Sequence, residues 1–135
     1  YIHLIRHGLD MALSKQKEGV FLWGHIFGIG PPSFEDLPKK MLQFWYIVNK
    51  GILSWGKEVM NDRFFLLNFD QFCIDPEKEL IRLTSFLELS CSEEKINRLA
   101  KIPKLPTSCG RYKEKAEIFS RSDIEMVREF GFTVE

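Results

Sequence analysis

Arg6 and Ser14 stand eight positions apart, the arginine closing an apolar run and the serine lying beyond a small turn. Those two residue types at that spacing suit a bound phosphate. An arginine offers a planar fork of donors to an oxyanion, and a serine adds a hydroxyl. Tyr1 to Ile5 reads as a buried strand, apolar except for His3, and Leu9 to about Gly19 reads as a helix. Arg6 is then expected at the carboxyl end of a strand and Ser14 on the second turn of the next helix. Ligands of open α/β sheets bind at that edge. The helix start there adds backbone N–H groups and a favourable dipole. A second candidate anion contact is Arg111, which follows Gly110 and precedes Tyr112, Lys113 and Lys115.

The elements that must position these residues follow from periodicity and punctuation. Val20 to Pro38 is expected to be a long loop with Gly24, Gly28, Gly30, Pro31 and Pro32 among large apolar residues; such loops are usually functional, and this one is the candidate lid over an acceptor. Pro38 fits the first turn of a helix running from Lys39 to about Val59, as one piece or as two joined near Gly51. Arg63 to Phe69 reads as a second buried strand. Asp75-Pro76 signals the next helix start, with Asp75 as cap. Ser92 starts another helix, 102–120 is irregular, and Ser122 opens a final helix that Gly131 ends. Trp23, Trp45 and Trp55 read as core, Lys101 and Lys104 as solvent-facing.

Strands separated by helices argue for an α/β fold with a parallel sheet. Two strands are too few for an independent sheet. Either further strands lie upstream or the fold is mostly helical. The 135 residues form about one domain. Hydrophobic content of 44% and charged content of 28% are those of a globular protein. Lys+Arg 19 balances Asp+Glu 19, so the chain has no global field for nucleic acid, and any anion site must be local. Cys73, Cys91 and Cys109 are odd in number and far apart, which argues against a disulfide framework or a zinc site and for a cytoplasmic compartment. No apolar run approaches the roughly 20 residues of a membrane span.

Two families share the opening residues. Arg6-His7-Gly8 after a strand resembles the histidine phosphatase signature, which would make His7 a phosphorylated nucleophile. That family needs a second histidine late in the chain, and here only His3 and His25 remain. The longer resemblance is to sulfotransferases that use 3′-phosphoadenosine 5′-phosphosulfate (PAPS), and three blocks carry it in the family's order. Arg6 to Ser14 is similar to the strand–Arg-x-x-x-Asp-x-x-x-Ser motif that binds the 3′-phosphate. Asp62 to Phe72, Asp75-Pro76 and Phe86 to Leu89 are similar to the family's second strand and following helix. Ser108-Cys109-Gly110-Arg111-Tyr112 resembles the Gly-Arg-Trp form of the late loop that closes over the same phosphate.

The resemblance implies a P-loop-type α/β fold, here incomplete at the amino terminus with a helix-rich remainder. It implies transfer of a sulfuryl group from PAPS, without a metal, to a hydroxyl or amine on a small molecule, glycan, lipid or protein. It assigns Arg6, Ser14, Phe69, Gly110, Arg111 and Tyr112 to the cofactor. The family's Tyr-Glu-Asp reads Phe69-Asp70-Gln71 here, so the hydroxyl is lost. Nothing matches the family's Ser-Gly-Thr-type loop for the 5′-phosphosulfate. That loop and the catalytic base are expected upstream of Tyr1, with residues 1–135 one domain of a longer chain. The reading outside the enzymes is a catalytically silent nucleotide-binding or interaction module.

Overall fold

A computed structural model describes residues 1–134, which cluster into two compact units: Tyr1–Arg6 with Trp55–Cys109, and His7–Ser54 with 110–134.

The first unit is built on two parallel strands, β1 (Ile2–Ile5) and β2 (Phe65–Asn68), in the register Ile2 to Phe65 through Ile5 to Asn68. Among the described residues no further strand joins them. The expectation of two buried strands is therefore corrected. Ile5 and Leu67 are buried, whereas Ile2 and Leu4 are exposed. Strands of a parallel sheet become apolar on both faces because helices normally cover both. The second strand is also shorter than the sequence suggested. Asn68 ends it by accepting a hydrogen bond from the Gln71 N–H at 3.1 Å, which caps the helix of residues 69–74. Phe69 is thus helical rather than extended.

The other helices of this unit start where their caps predict. Asp75 accepts from the Lys78 N–H and Pro76 occupies the first turn of a helix over Pro76–Phe86. Ser92 accepts from the Lys95 N–H at the start of a helix over Glu93–Leu99. A π-turn over Gly56–Met60 leads toward β2. Gly56 is needed there, since a Cβ would lie 2.3 Å from the Phe64 ring.

The second unit is helical. Its first three helices are α1 (Gly8–Ala12), α2 (Glu18–Trp23) and α3 (Leu37–Trp55). In chain order the helices of the first unit are then α4 (Phe69–Ile74), α5 (Pro76–Phe86) and α6 (Glu93–Leu99), and the chain closes with α7 (Arg121–Arg128). Leu9, Leu42 and Val127 are wholly buried at its centre, and Trp45 packs edge-on against Phe130 at 4.9 Å. A Cβ on Gly8 would stand 2.7 Å from Trp45 and 2.8 Å from Val127, so glycine sets how closely α1 packs. Leu42, Trp45 and Asn49 form the buried stripe of α3, which passes through Gly51 without a break. Only Trp45 of the three tryptophans is core; Trp23 and Trp55 are about half exposed.

Three sequence expectations are corrected in this unit. The helix predicted from Leu9 to Gly19 stops at Ala12, because the Ser14 hydroxyl accepts from the Gln16 N–H at 3.2 Å and turns the chain instead. The long loop predicted over Val20–Pro38 begins with α2 and a 3₁₀ turn over Gly24–Phe27, which ends at Gly28 in the left-handed region (φ 72°). The last helix starts one turn-position earlier than Ser122 suggests: Ser120 caps it in a reciprocal capping box with Asp123.

Candidate functional site

Asp10 is the centre of the chemistry in the second unit. It sits in the first turn of α1 and is 1% exposed. The Gly110 N–H donates to its Oδ2 at 2.7 Å and the Tyr112 N–H donates to its Oδ1 at 3.1 Å. One carboxylate thus fixes a loop a hundred residues away in sequence. A buried carboxylate is costly unless it is hydrogen-bonded, and two backbone donors meet that need. Gly110 can take part because its φ of 80° lies in the left-handed region that glycine enters without strain.

Between the two anchored residues, Arg111 is held at the end of α1. Its Nη1 donates to the Leu13 carbonyl at 3.3 Å, one residue before Ser14. A cation suits the carbonyl end of a helix. The Arg111 Nε is buried and has no hydrogen-bond partner among the described residues. An unsatisfied buried donor costs about 1–3 kcal/mol, and such groups mark places where a ligand or ion completes the network. Ser14 lies in the turn after α1 rather than on its second turn, yet this placement brings it to the same helix end as Arg111.

Tyr112 has a different role from the one its motif suggests. Its ring is buried and stacks on His7 at 4.7 Å with planes 3° apart, so it is core, and only its backbone reaches the clamp. The same contact decides the fate of His7. That ring is 7% exposed, meets Phe132 edge-on at 5.2 Å and sets its Nε2 3.2 Å from the Thr133 carbonyl. A phosphorylated nucleophile must reach its substrate, and this histidine is packed away from solvent. The structure gives it a packing role, and the phosphatase reading is not supported better than the sulfotransferase one.

In the first unit, Arg6 follows β1 as expected. Its Nη2 lies 3.4 Å from Asp70 Oδ1, and its guanidinium carbon stands 5.4 Å from the centre of the Phe69 ring. Phe69 is therefore an aromatic platform for the cation. The Arg6 Nε is also buried without a partner. Cys73 stands near this pair. Burial raises its thiol pKa first, the Asp70 charge pushes the same way, and Arg6 opposes both.

The sequence motifs name Arg6, Ser14, Phe69, Gly110, Arg111 and Tyr112, and assign no role to the two acids, Asp10 and Asp70. Asp10 lay inside the quoted motif, and its position between Arg6 and Ser14 was the available signal. Asp70 stood in the Phe69-Asp70-Gln71 triplet, but nothing local pairs it with Arg6, 64 residues away. Among the described residues no group of three or more histidines, cysteines or acids could hold a metal ion. None of the three cysteines forms a disulfide. No helix among the described residues is long and apolar enough to cross a membrane.

No protein-family profile matches the chain, and no solved structure does. The chain is 31% identical over 104 residues to Sulfotransferase 1E1 of Homo sapiens, a match that covers 73% of this chain and 33% of that protein. The chain spans about a third of the length of the curated relative it matches, and over most of its own length it is similar to a sulfotransferase.

Proposed function

We propose that this chain carries the 3′-phosphate half of a PAPS site in a sulfotransferase of P-loop type. The observation that carries the reading is the Asp10 clamp. Two sequence blocks that independently resemble 3′-phosphate motifs, one ending at Ser14 and the other holding Arg111, meet in one unit through Asp10 and the Leu13 carbonyl. The buried, unpartnered Nε of Arg111 fits a site that an anion completes. The similarity to a human sulfotransferase supports the same reading.

Bound PAPS supplies the sulfuryl group, which passes to a hydroxyl or amine acceptor and leaves adenosine 3′,5′-bisphosphate. The residues of this chain do the holding. Arg111 and Ser14 offer a guanidinium and a hydroxyl to the 3′-phosphate, while Gly110 and Tyr112 fix the loop through their backbone N–H groups. Arg6, with Phe69 beneath it, is assigned to the same phosphate by its sequence motif. These groups bind and orient; as in phosphoryl transfer, catalysis by such a site is positioning and charge stabilisation. The acceptor is a small molecule or a larger hydroxyl- or amine-bearing partner, and the compartment is the cytoplasm.

The test is calorimetric titration of the full-length protein with adenosine 3′,5′-bisphosphate. Arg111→Ala and Ser14→Ala should each weaken binding, the arginine variant by about 1.5–3 kcal/mol and the serine variant by roughly 1 kcal/mol. Unchanged affinity in Arg111→Ala would remove the loop from the site.

A further inference from the structure

The second unit contains a cleft of about 500 Å³ that borders the proposed phosphate site at Ser14 and extends beyond it. One wall is the end of α1, with Ala12 and Leu13, followed by Lys17. A second is the approach to α3, with Phe34, Leu37 and Pro38. The third is the 3₁₀ segment Arg111–Ile118, which contributes Lys115 and Ile118. Its volume is that of a small-molecule site, and its lining is mainly apolar with a few polar groups, the usual composition of such sites.

Two features point to a class of ligand. Phe34 is 93% exposed, the most exposed large apolar side chain among the described residues. Covering a phenylalanine is favourable by about 1.5–3 kcal/mol, so a ligand body laid against it gains directly. Lys17 and Lys115 line the same cleft, and neither makes an ion pair with any described residue. Glu35 also lines it and is the one acid there, so the two ammonium groups outnumber the carboxylate.

We propose that this cleft binds a free single-chain or aromatic amphiphile with an anionic head. The apolar body rests on Phe34, Leu37 and Ile118, and the carboxylate or sulfate head is held by Lys17 and Lys115. Lysine suits this arrangement because its methylene stem lies along apolar surface while its ammonium meets the charge.

The probes are decanoate and decylammonium, each titrated calorimetrically into the full-length protein below its micelle concentration. They share a tail and differ in head charge, and neither resembles a nucleotide. Decanoate should bind at least about tenfold more tightly than decylammonium, and Lys17→Gln/Lys115→Gln should abolish that preference. Phe34→Ala should weaken both probes. Phe21→Ser/Leu22→Ser, on exposed positions of α2, should leave decanoate binding unchanged and so exclude general adsorption to apolar surface. Equal affinity for the two probes, or a lysine double variant that keeps the preference, overturns the proposal. All three variants change exposed or cleft-lining side chains, and an unchanged thermal midpoint verifies that they fold. Ser14 borders both sites, so the two readings are told apart by variants outside the overlap: Lys17→Gln/Lys115→Gln tests the amphiphile, and Arg111→Ala, at a residue that does not line the cleft, tests the 3′-phosphate.

Discussion

Asp10 and Asp70 are both buried acids in the first turn of a short helix, one in each compact unit, and they are satisfied in opposite ways. Asp10 accepts two backbone N–H groups, donors whose positions the chain itself fixes. Asp70 faces the flexible side chain of Arg6 at 3.4 Å, a long contact for an ion pair. The first arrangement is a rivet: it holds a loop and leaves nothing to exchange. The second is a holding position, because a guanidinium that pairs loosely with one carboxylate can turn to a more highly charged anion. The difference teaches which residues to assign to structure and which to a ligand. Asp10, Gly110 and Tyr112 build; Arg6 and Arg111 are the residues proposed to bind.

The largest expected effect breaks the rivet. Asp10→Ala removes two charge-assisted hydrogen bonds and should cost roughly 3–6 kcal/mol, measured by urea unfolding. Asp10→Asn keeps one acceptor oxygen and should cost about half as much. A loss below about 1 kcal/mol in Asp10→Ala would show that the loop is held by something else. The matching change at the other acid is Arg6→Ala. It should weaken adenosine 3′,5′-bisphosphate by about 1.5–3 kcal/mol and leave 5′-AMP little changed. Equal loss for both ligands would detach Arg6 from the 3′-phosphate.

Packing supplies a pair of the same kind at smaller cost. Gly8→Ala pushes into Trp45 and Val127, and Gly56→Ala pushes into Phe64. Each should destabilise by about 1–3 kcal/mol on thermal unfolding, since overfilled contacts force neighbours aside. If Gly56→Ala is tolerated and Gly8→Ala is not, the first unit is the more deformable of the two.

The smallest effect reads the Arg6–Asp70 pair from a neighbour. Cys73 has a thiol pKa raised by burial and by Asp70, and lowered by Arg6. Asp70→Asn should therefore lower that pKa and speed alkylation by iodoacetamide at pH 8, while Arg6→Ala should raise it and slow the reaction. Equal rates in both variants would mean that the thiol does not sense the pair.

Much of this was legible because it is local. Asp75-Pro76 and Ser92 announce their helices, since a cap acts within three residues. Pro38 marks the start of α3 in the same way, within one turn of its first residue. What failed was competition between local signals. Ser14 reads as helical by its neighbours' propensities, but its hydroxyl serves the Gln16 N–H and ends the helical run. Ser122 reads as the cap of the last helix, and the reciprocal bond with Asp123 gives that place to Ser120. The apolar strands were found, but their exposure was not, because pattern reports what a strand is made to face rather than what covers it. Of the site, the charged residues were readable from their motifs. Asp10 and Asp70 stood inside the same motifs, but their pairings did not show, because the partners lie 64 to 102 residues away.

The measurement that tests the central claim most directly is the relative affinity of the full-length wild-type protein for adenosine 3′,5′-bisphosphate and 5′-AMP. The two ligands differ only in the 3′-phosphate that Arg111, Ser14 and Arg6 are proposed to hold. The account predicts a preference for the bisphosphate of at least about tenfold, the equivalent of one charge-assisted contact. Equal affinity for the two would contradict it.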